Sequence, residues 1–191
     1  MKHKSLVIIP AYNEELELAR VLQKLRNVGF QDVLVVDDGS EDQTAQIAQK
    51  AGAVVLSHCQ NCGMGAATQT GIEWGLKNDF EQFFTIDADG QQRVEDLLTI
   101  KEALKTKNCV IGSRFLQKNK IPPFRFLANK IANALTGIFF GVWVTDSQSG
   151  LRGFRRVVAQ KLNLRANGFE YCSDFVRAVT YAEFEVFEVP I

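Results

Sequence analysis

Five short apolar runs rich in β-branched residues recur along the first 113 positions: SLVIIP from Ser5, DVLVVD from Asp32, AVVLSH from Ala53, FFTID from Phe83 and CVIGS from Cys109. A helix-length amphipathic segment fills each gap between them. Strands joined by crossovers of that length pair in parallel, and their helices must cover the sheet. The segment EELELARVLQKLRNVG from Glu14 has leucines at helical spacing and reaches a C-cap glycine at Gly29. In GSEDQTAQIAQKAG from Gly39, Ser40 is expected to cap a helix and Gly52 to stop it. GAATQTGIEWGLKN from Gly65 and VEDLLTIKEALKT from Val94 supply two more helices. The expected fold class is α/β, a Rossmann-like doubly wound, mostly parallel sheet with helices on both faces.

The rest of the chain changes character. A basic, turn-rich KNKIPPFRF from Lys118 leads into a mixed apolar helix from Leu127 and the loop TDSQSG from Thr145. A short strand around LRGFRR, a helix near YCSDFVRAVTYA and a last strand FEVFEVPI follow. No repeat or composition shift marks a boundary, so 191 residues with 46% hydrophobic content are read as one domain. The 22 basic and 22 acidic residues cancel, which argues against a nucleic-acid partner bound through bulk charge. Charge is uneven, however: no acid occurs between Glu102 and Asp146, whereas Lys105, Lys107, Arg114, Lys118, Lys120, Arg125 and Lys130 do. Four cysteines and an N-terminal apolar run too short for a secretory signal place the expected chain in reducing cytoplasm. No uninterrupted apolar run reaches the roughly 20 residues of a membrane span.

In an open α/β sheet, ligands bind outside the carboxyl ends of the strands. Three such ends are chemically unusual: PAYNEE after the first run, DDGS after the second and DADG after the fourth. Alternate residues of an extended segment point to one side, so Asp87 and Asp89 are expected to converge. Two converged carboxylates repel unless a cation lies between them, and a hard ion such as Mg²⁺ or Mn²⁺ suits oxygen ligands. Read alone, D-x-D is a common surface turn, and DDGS an ordinary turn with a helix cap. Position at the ligand edge favours metal binding.

In order along the chain, VIIPAYNEE, VVDDGSEDQT, NCGMGAATQTG, DADGQ, IGSRF and DSQSGLRGF resemble the motifs of the family 2 glycosyltransferases of GT-A fold, nearest to the polyprenyl-phosphate hexosyltransferases. The resemblance implies a nucleotide-sugar half over about 1–113 and an acceptor half over about 114–191. It implies that Pro10, Ala11, Tyr12 and Glu14 line the base and ribose, with Asp37 or Asp38 reading the base edge. Asp87, Ala88 and Asp89 would hold the donor diphosphate, with Asp87, Asp89 and Gln91 as metal ligands. The glycines Gly63 and Gly65 let backbone approach the donor, and Met64 stands where many relatives have lysine.

The resemblance further implies that Asp146 faces the reacting centre and that Arg114 and Arg125 meet acceptor phosphate. Guanidinium groups suit that task, since each grips phosphate with two parallel hydrogen bonds. Basic residues interleaved with Phe115, Phe124 and Phe126 suit peripheral contact with a membrane surface. The expected reaction is inverting transfer of a hexose from a GDP- or UDP-linked sugar to a dolichyl or undecaprenyl phosphate. A saccharide or other hydroxyl acceptor, with Asp146 as general base, is the alternative; a noncatalytic nucleotide-sugar-binding protein is a further one. His58, Cys59 and Cys62 in HCQNC invite a zinc reading, but Cys109 and Cys172 stand alone, so ordinary loop cysteines are expected.

Overall fold

The computed structural model of the chain describes residues 4–117, 133, 137, 142–168 and 170–191. The five apolar runs become β1 (Ser5–Ala11), β2 (Val33–Asp37), β3 (Val54–Ser57), β4 (Gln82–Thr85) and β5 (Cys109–Ser113). Between them lie α1 (Leu18–Asn27), α2 (Thr44–Lys50), α3 (Met64–Lys77) and α4 (Asp96–Ala103). Later in the chain come β6 (Arg152–Arg155), α5 (Arg156–Ala159), α6 (Tyr171–Tyr181) and β7 (Val186–Pro190). The described strands form one sheet ordered β3-β2-β1-β4-β6-β5-β7. Every pairing is parallel except those of β6, which runs antiparallel to both β4 and β5.

Each face of the sheet carries its own core. Val7, Ile9, Val35, Phe84 and Ile86 pack against Leu18, Val21, Leu22 and Leu25 of α1 and Leu97 and Ile100 of α4. Leu6, Ile8, Leu34, Val36, Phe83 and Phe154 face Ala67 and Ile72 of α3 and Phe175, Val176 and Val179 of α6. This split is the period-2 side-chain alternation of strands buried on both faces. Phe83 and Phe154 stack across β4 and β6 with centroids 5.5 Å apart, and Phe154 meets Phe175 at 5.4 Å. Such pairs each add about 0.5–1.5 kcal/mol beyond the area they bury.

Helix α1 shows why the segments are helical. Its buried residues Leu18, Val21, Leu22 and Leu25 recur at one-face spacing. It ends at Gly29 (φ 93°), with Gly29 N donating to Arg26 O and Phe30 N to Leu25 O, the paired bonds that satisfy carbonyls at a helix end. The expected cap at Ser40 is not made. Its Oγ instead accepts from Asn13 N at 2.9 Å, and α2 starts later, with Asp42 Oδ1 accepting from Thr44 N at 2.9 Å. Arg125, Lys118, Lys120, Lys130, Phe124, Phe126 and most of the apolar segment from Leu127 lie outside the described residues.

Candidate functional site

β1 lies between β2 and β4, so the loops that leave the carboxyl ends of these three strands meet above the middle of the sheet. There they line a cavity of about 620 Å³. Pro10, Ala11, Tyr12 and Glu14 come from the β1 end, Asp38 from the β2 end, and Asp87, Ala88 and Asp89 from the β4 end. Gly63 and Met64 rise from the start of α3, and Gln148, Gly150, Gly168 and Cys172 close the far wall. Asp37, Gly65 and Gln91 do not line it. Asp37 Oδ1 accepts from Ser40 N at 3.2 Å, Gly65 packs under Ala166, and Gln91 is exposed with its N–H on Asp89 Oδ1 at 3.0 Å.

Asp87 and Asp89 share this cavity, but through a turn instead of strand alternation. β4 ends at Thr85, and the chain bends through Ala88–Gly90, with Gly90 at φ 70°. Gln92 holds Asp87 from two directions: its Nε2 donates to Asp87 Oδ2 at 2.5 Å, and its Oε1 accepts from Asp87 N at 3.1 Å. Gly150 presses on the other side, where a Cβ would lie 2.5 Å from Asp87 Oδ1, so only glycine leaves room for the carboxylate. Burial, then the neighbouring Asp89, pushes Asp87 up to about 6, against the pull of Arg152 and Arg114. Glu14 is also raised, by burial and then by Asp89, Asp42 and Asp87. Acids raised by one another mark an excess of negative charge at one point.

Asp38 organises the loop beneath the cavity. Oδ1 accepts from Cys62 N at 3.0 Å and lies 2.6 Å from His58 Nδ1, while Oδ2 accepts from Gly63 N at 2.7 Å. His58 Nε2 lies 3.0 Å from Thr70 Oγ1, so both ring nitrogens are engaged. Gly63 holds φ 96°, and a Cβ there would meet Asn167 O at 2.1 Å. Ligand atoms of Asp38, His58 and Cys62 do lie within 4.8 Å of one another, yet hydrogen bonds already account for that cluster. The cysteines are free.

On the acceptor half, Asp146 is fully buried and does not line the cavity. Arg114 forks onto it, with Nε 2.7 Å from Oδ2 and Nη2 2.8 Å from Oδ1, and its backbone N adds a third bond at 3.2 Å. That pairing raises the Arg114 pKa further. Glu188 of β7 clamps the same turn: it accepts from Thr145 N at 2.8 Å, Thr145 Oγ1 at 2.8 Å and Asp146 N at 3.1 Å. Asn133 Oδ1 accepts from Ser147 N at 2.9 Å. Sequence reasoning singles out neither Gln92, which acts on the nearby Asp87, nor Glu188 and the buried Arg152, whose partners include residues far along the chain.

The residues fit a hard divalent cation. Among the described residues lining the cavity, which include Glu14, Asp38, Asp87 and Asp89, no basic side chain stands. An anion entering such a space is favoured by a cation that enters with it.

Residues 6–162 match the model of the family described as glycosyl transferase family 2. Over 98% of its length the chain is 32% identical to a polyprenol monophosphomannose synthase of Mycolicibacterium smegmatis, spanning 76% of that protein. It is 31% identical, over 97% of its length and 83% of the relative's, to a UDP-N-acetylglucosamine–dolichyl-phosphate N-acetylglucosaminyltransferase of Methanococcus voltae. Among solved structures, glucosyl-3-phosphoglycerate synthase from Mycobacterium tuberculosis, in complex with Mn²⁺, UDP and phosphoglyceric acid, superposes with a TM-score of 0.77. That likeness covers 98% of this chain and 68% of the other at 18% identity, and it speaks for the fold alone. With six ordered motifs, a mixed sheet gathering three acidic strand ends, and a family match over most of its length, the chain belongs to glycosyl transferase family 2.

Proposed function

We propose that this chain is an inverting hexosyltransferase that moves a hexose from a GDP- or UDP-linked donor to a polyprenyl phosphate at the cytoplasmic face of a membrane. One observation carries the reading: Glu14, Asp87 and Asp89 crowd one cavity that, among the described residues, no basic side chain lines. A sugar diphosphate is held there most tightly beside Mg²⁺ or Mn²⁺, with Asp87 and Asp89 as the holders and Gln91 adjoining. When bound, such an ion neutralises the diphosphate that departs.

The chain's own residues do the rest. Tyr12, 43% exposed at the mouth, offers a ring face to a nucleotide base. Ala11 and Gly63 bring backbone close to the donor, and Gln148 and Gly150 floor the sugar. An acceptor phosphate oxygen attacks the anomeric carbon as the bond from that carbon to the diphosphate oxygen breaks. The nucleoside diphosphate leaves with the electron pair, and the configuration inverts.

A phosphate monoester, with second pKa of about 6, is already an anion and needs orientation more than deprotonation. That suits a buried Asp146 whose two oxygens are committed to Arg114. Arg114 and Arg125 are assigned to acceptor phosphate, and Asp146 is assigned to hold Arg114. The named activities of the two curated relatives, both on polyprenyl-type phosphates, support this choice of acceptor. Among the described residues no helix is long and apolar enough to cross a membrane, in keeping with peripheral contact.

The test is incubation with labelled GDP- and UDP-hexoses, Mn²⁺ and a short-chain polyprenyl phosphate. Label is expected in the lipid fraction. Label reaching only a soluble saccharide, or donor binding without turnover, would replace this reading.

A further inference from the structure

Arg152 opens β6 with its side chain wholly inside the protein, at 0% exposure. Nε donates to Ser149 O at 2.8 Å and Nη2 reaches Cys172 O at 3.4 Å. Nη1 is buried without a hydrogen-bond partner among the described residues, and none of their carboxylates forms an ion pair with this guanidinium. Its guanidinium sits over aromatic rings instead, with Cζ 4.4 Å from the Phe175 centroid and 4.8 Å from that of Tyr171. Cation–π contacts return about 2 kcal/mol when desolvated, less than the several kcal/mol lost on burying an ion. Packing alone does not explain a charge in this place.

Position does. In the antiparallel register Arg152 lies opposite Thr85, so the two side chains share a sheet face, and Asp87 follows Thr85 by two residues. Thr85 Oγ1 donates to Gly150 O at 2.7 Å, Gly150 abuts the Asp87 carboxylate, and Ser149 O takes Arg152 Nε. Gly150 and Cys172, which flank Arg152, both line the donor cavity. The cation is therefore held under the cavity wall, without touching its contents, behind the acidic pair.

We propose that Arg152 is the fixed counter-charge of the donor site: a buried positioning residue that draws the donor diphosphate toward the acidic wall. This rests on the donor reading given above. A fixed positive charge attracts a diphosphate and repels a metal ion, so its removal changes the two affinities in opposite directions. A residue that merely shapes the wall moves both the same way or neither.

The experiment compares wild type with Arg152→Met, Arg152→Gln and Arg152→Lys at about pH 8, above the ordinary carboxylate range. Free Mn²⁺ is titrated by electron paramagnetic resonance without nucleotide, and metal-free GDP and UDP by calorimetry. For the Met and Gln variants, diphosphate affinity is expected to fall and Mn²⁺ affinity to rise, each by about threefold or more, as a charge at this range in a protein medium dictates. Arg152→Lys should retain both values within about twofold. Parallel shifts, unchanged affinities, a Lys variant that behaves like Met, or neutral variants that all fail to fold would overturn the proposal. If wild type takes up neither Mn²⁺ nor either nucleotide, the donor reading itself falls.

Discussion

Arg114 and Asp146, 32 residues apart, form a two-pronged ion pair in which the carboxylate is fully buried and the guanidinium side chain remains 44% exposed. The acid is the anchor, and the exposed arginine is what it presents. Lysine carries the same charge but lacks the planar fork. Arg114→Lys is therefore expected to lower transfer to polyprenyl phosphate by about a hundredfold, the usual cost of a slightly misplaced group. Nucleotide affinity by calorimetry should stay near wild type. Undiminished transfer would remove Arg114 from the acceptor site.

Glu188 supplies the other half of that support, taking the N–H groups of Thr145 and Asp146. Glu188→Ala leaves both donors unsatisfied beside a buried carboxylate. The expected loss is about 1–3 kcal/mol of stability in denaturant unfolding, with acceptor KM rising. Glu188→Gln, which keeps an acceptor oxygen, should recover much of it. Equal behaviour of the two variants would contradict the clamp.

Gln92 orients Asp87 through both ends of its amide. Groups that hold a metal ligand commonly govern affinity by about 10–100-fold. Gln92→Leu is expected to weaken Mn²⁺ binding within that range while the far-ultraviolet circular dichroism stays unchanged. Wild-type Mn²⁺ affinity in this variant would count against Asp87 as a ligand.

The strands of the first half, the helices on both faces and the crowded acidic edge were legible because burial on two faces leaves apolar runs that nothing else explains; the strand order, with β6 inserted antiparallel between β4 and β5, was not. The convergence of Asp87 and Asp89 was legible too, though its cause was not: a turn at Ala88–Gly90 brings them together after β4 has ended. Ser40 read as a cap because local spacing cannot reveal that Asn13 would claim its hydroxyl. The Arg114–Asp146 fork, the Glu188 clamp and the stacking of Arg152 join residues tens of positions apart, or neighbours that only the β4–β6 register brings close. In LRGFRR nothing marks the first arginine as fully buried and the other two as half-buried.

Asp87 links activity to pH. Its pKa is raised from 3.8 to about 6, so the folded protein binds a proton that the unfolded chain releases between those values. The group's contribution to stability is thus fully present below about pH 4 and is lost as pH rises through about 6. In the metal-free protein at neutral pH, Asp87→Asn should therefore raise stability by up to about 2–3 kcal/mol. Mn²⁺ uptake by wild type should decline as pH falls through about 6, when the carboxylate takes a proton. A metal-free Asn variant no more stable than wild type at neutral pH would refute the strained-acid description.

The most direct test is Mn²⁺ calorimetry of wild type and Asp89→Ala, each alone and with GDP or UDP. Wild type is expected to bind Mn²⁺ more tightly when its nucleotide is present, and Asp89→Ala to lose that enhancement together with donor turnover. Mn²⁺ binding indifferent to both nucleotides, or an Asp89→Ala protein that keeps the enhancement, would contradict a cation held between this acidic wall and a diphosphate.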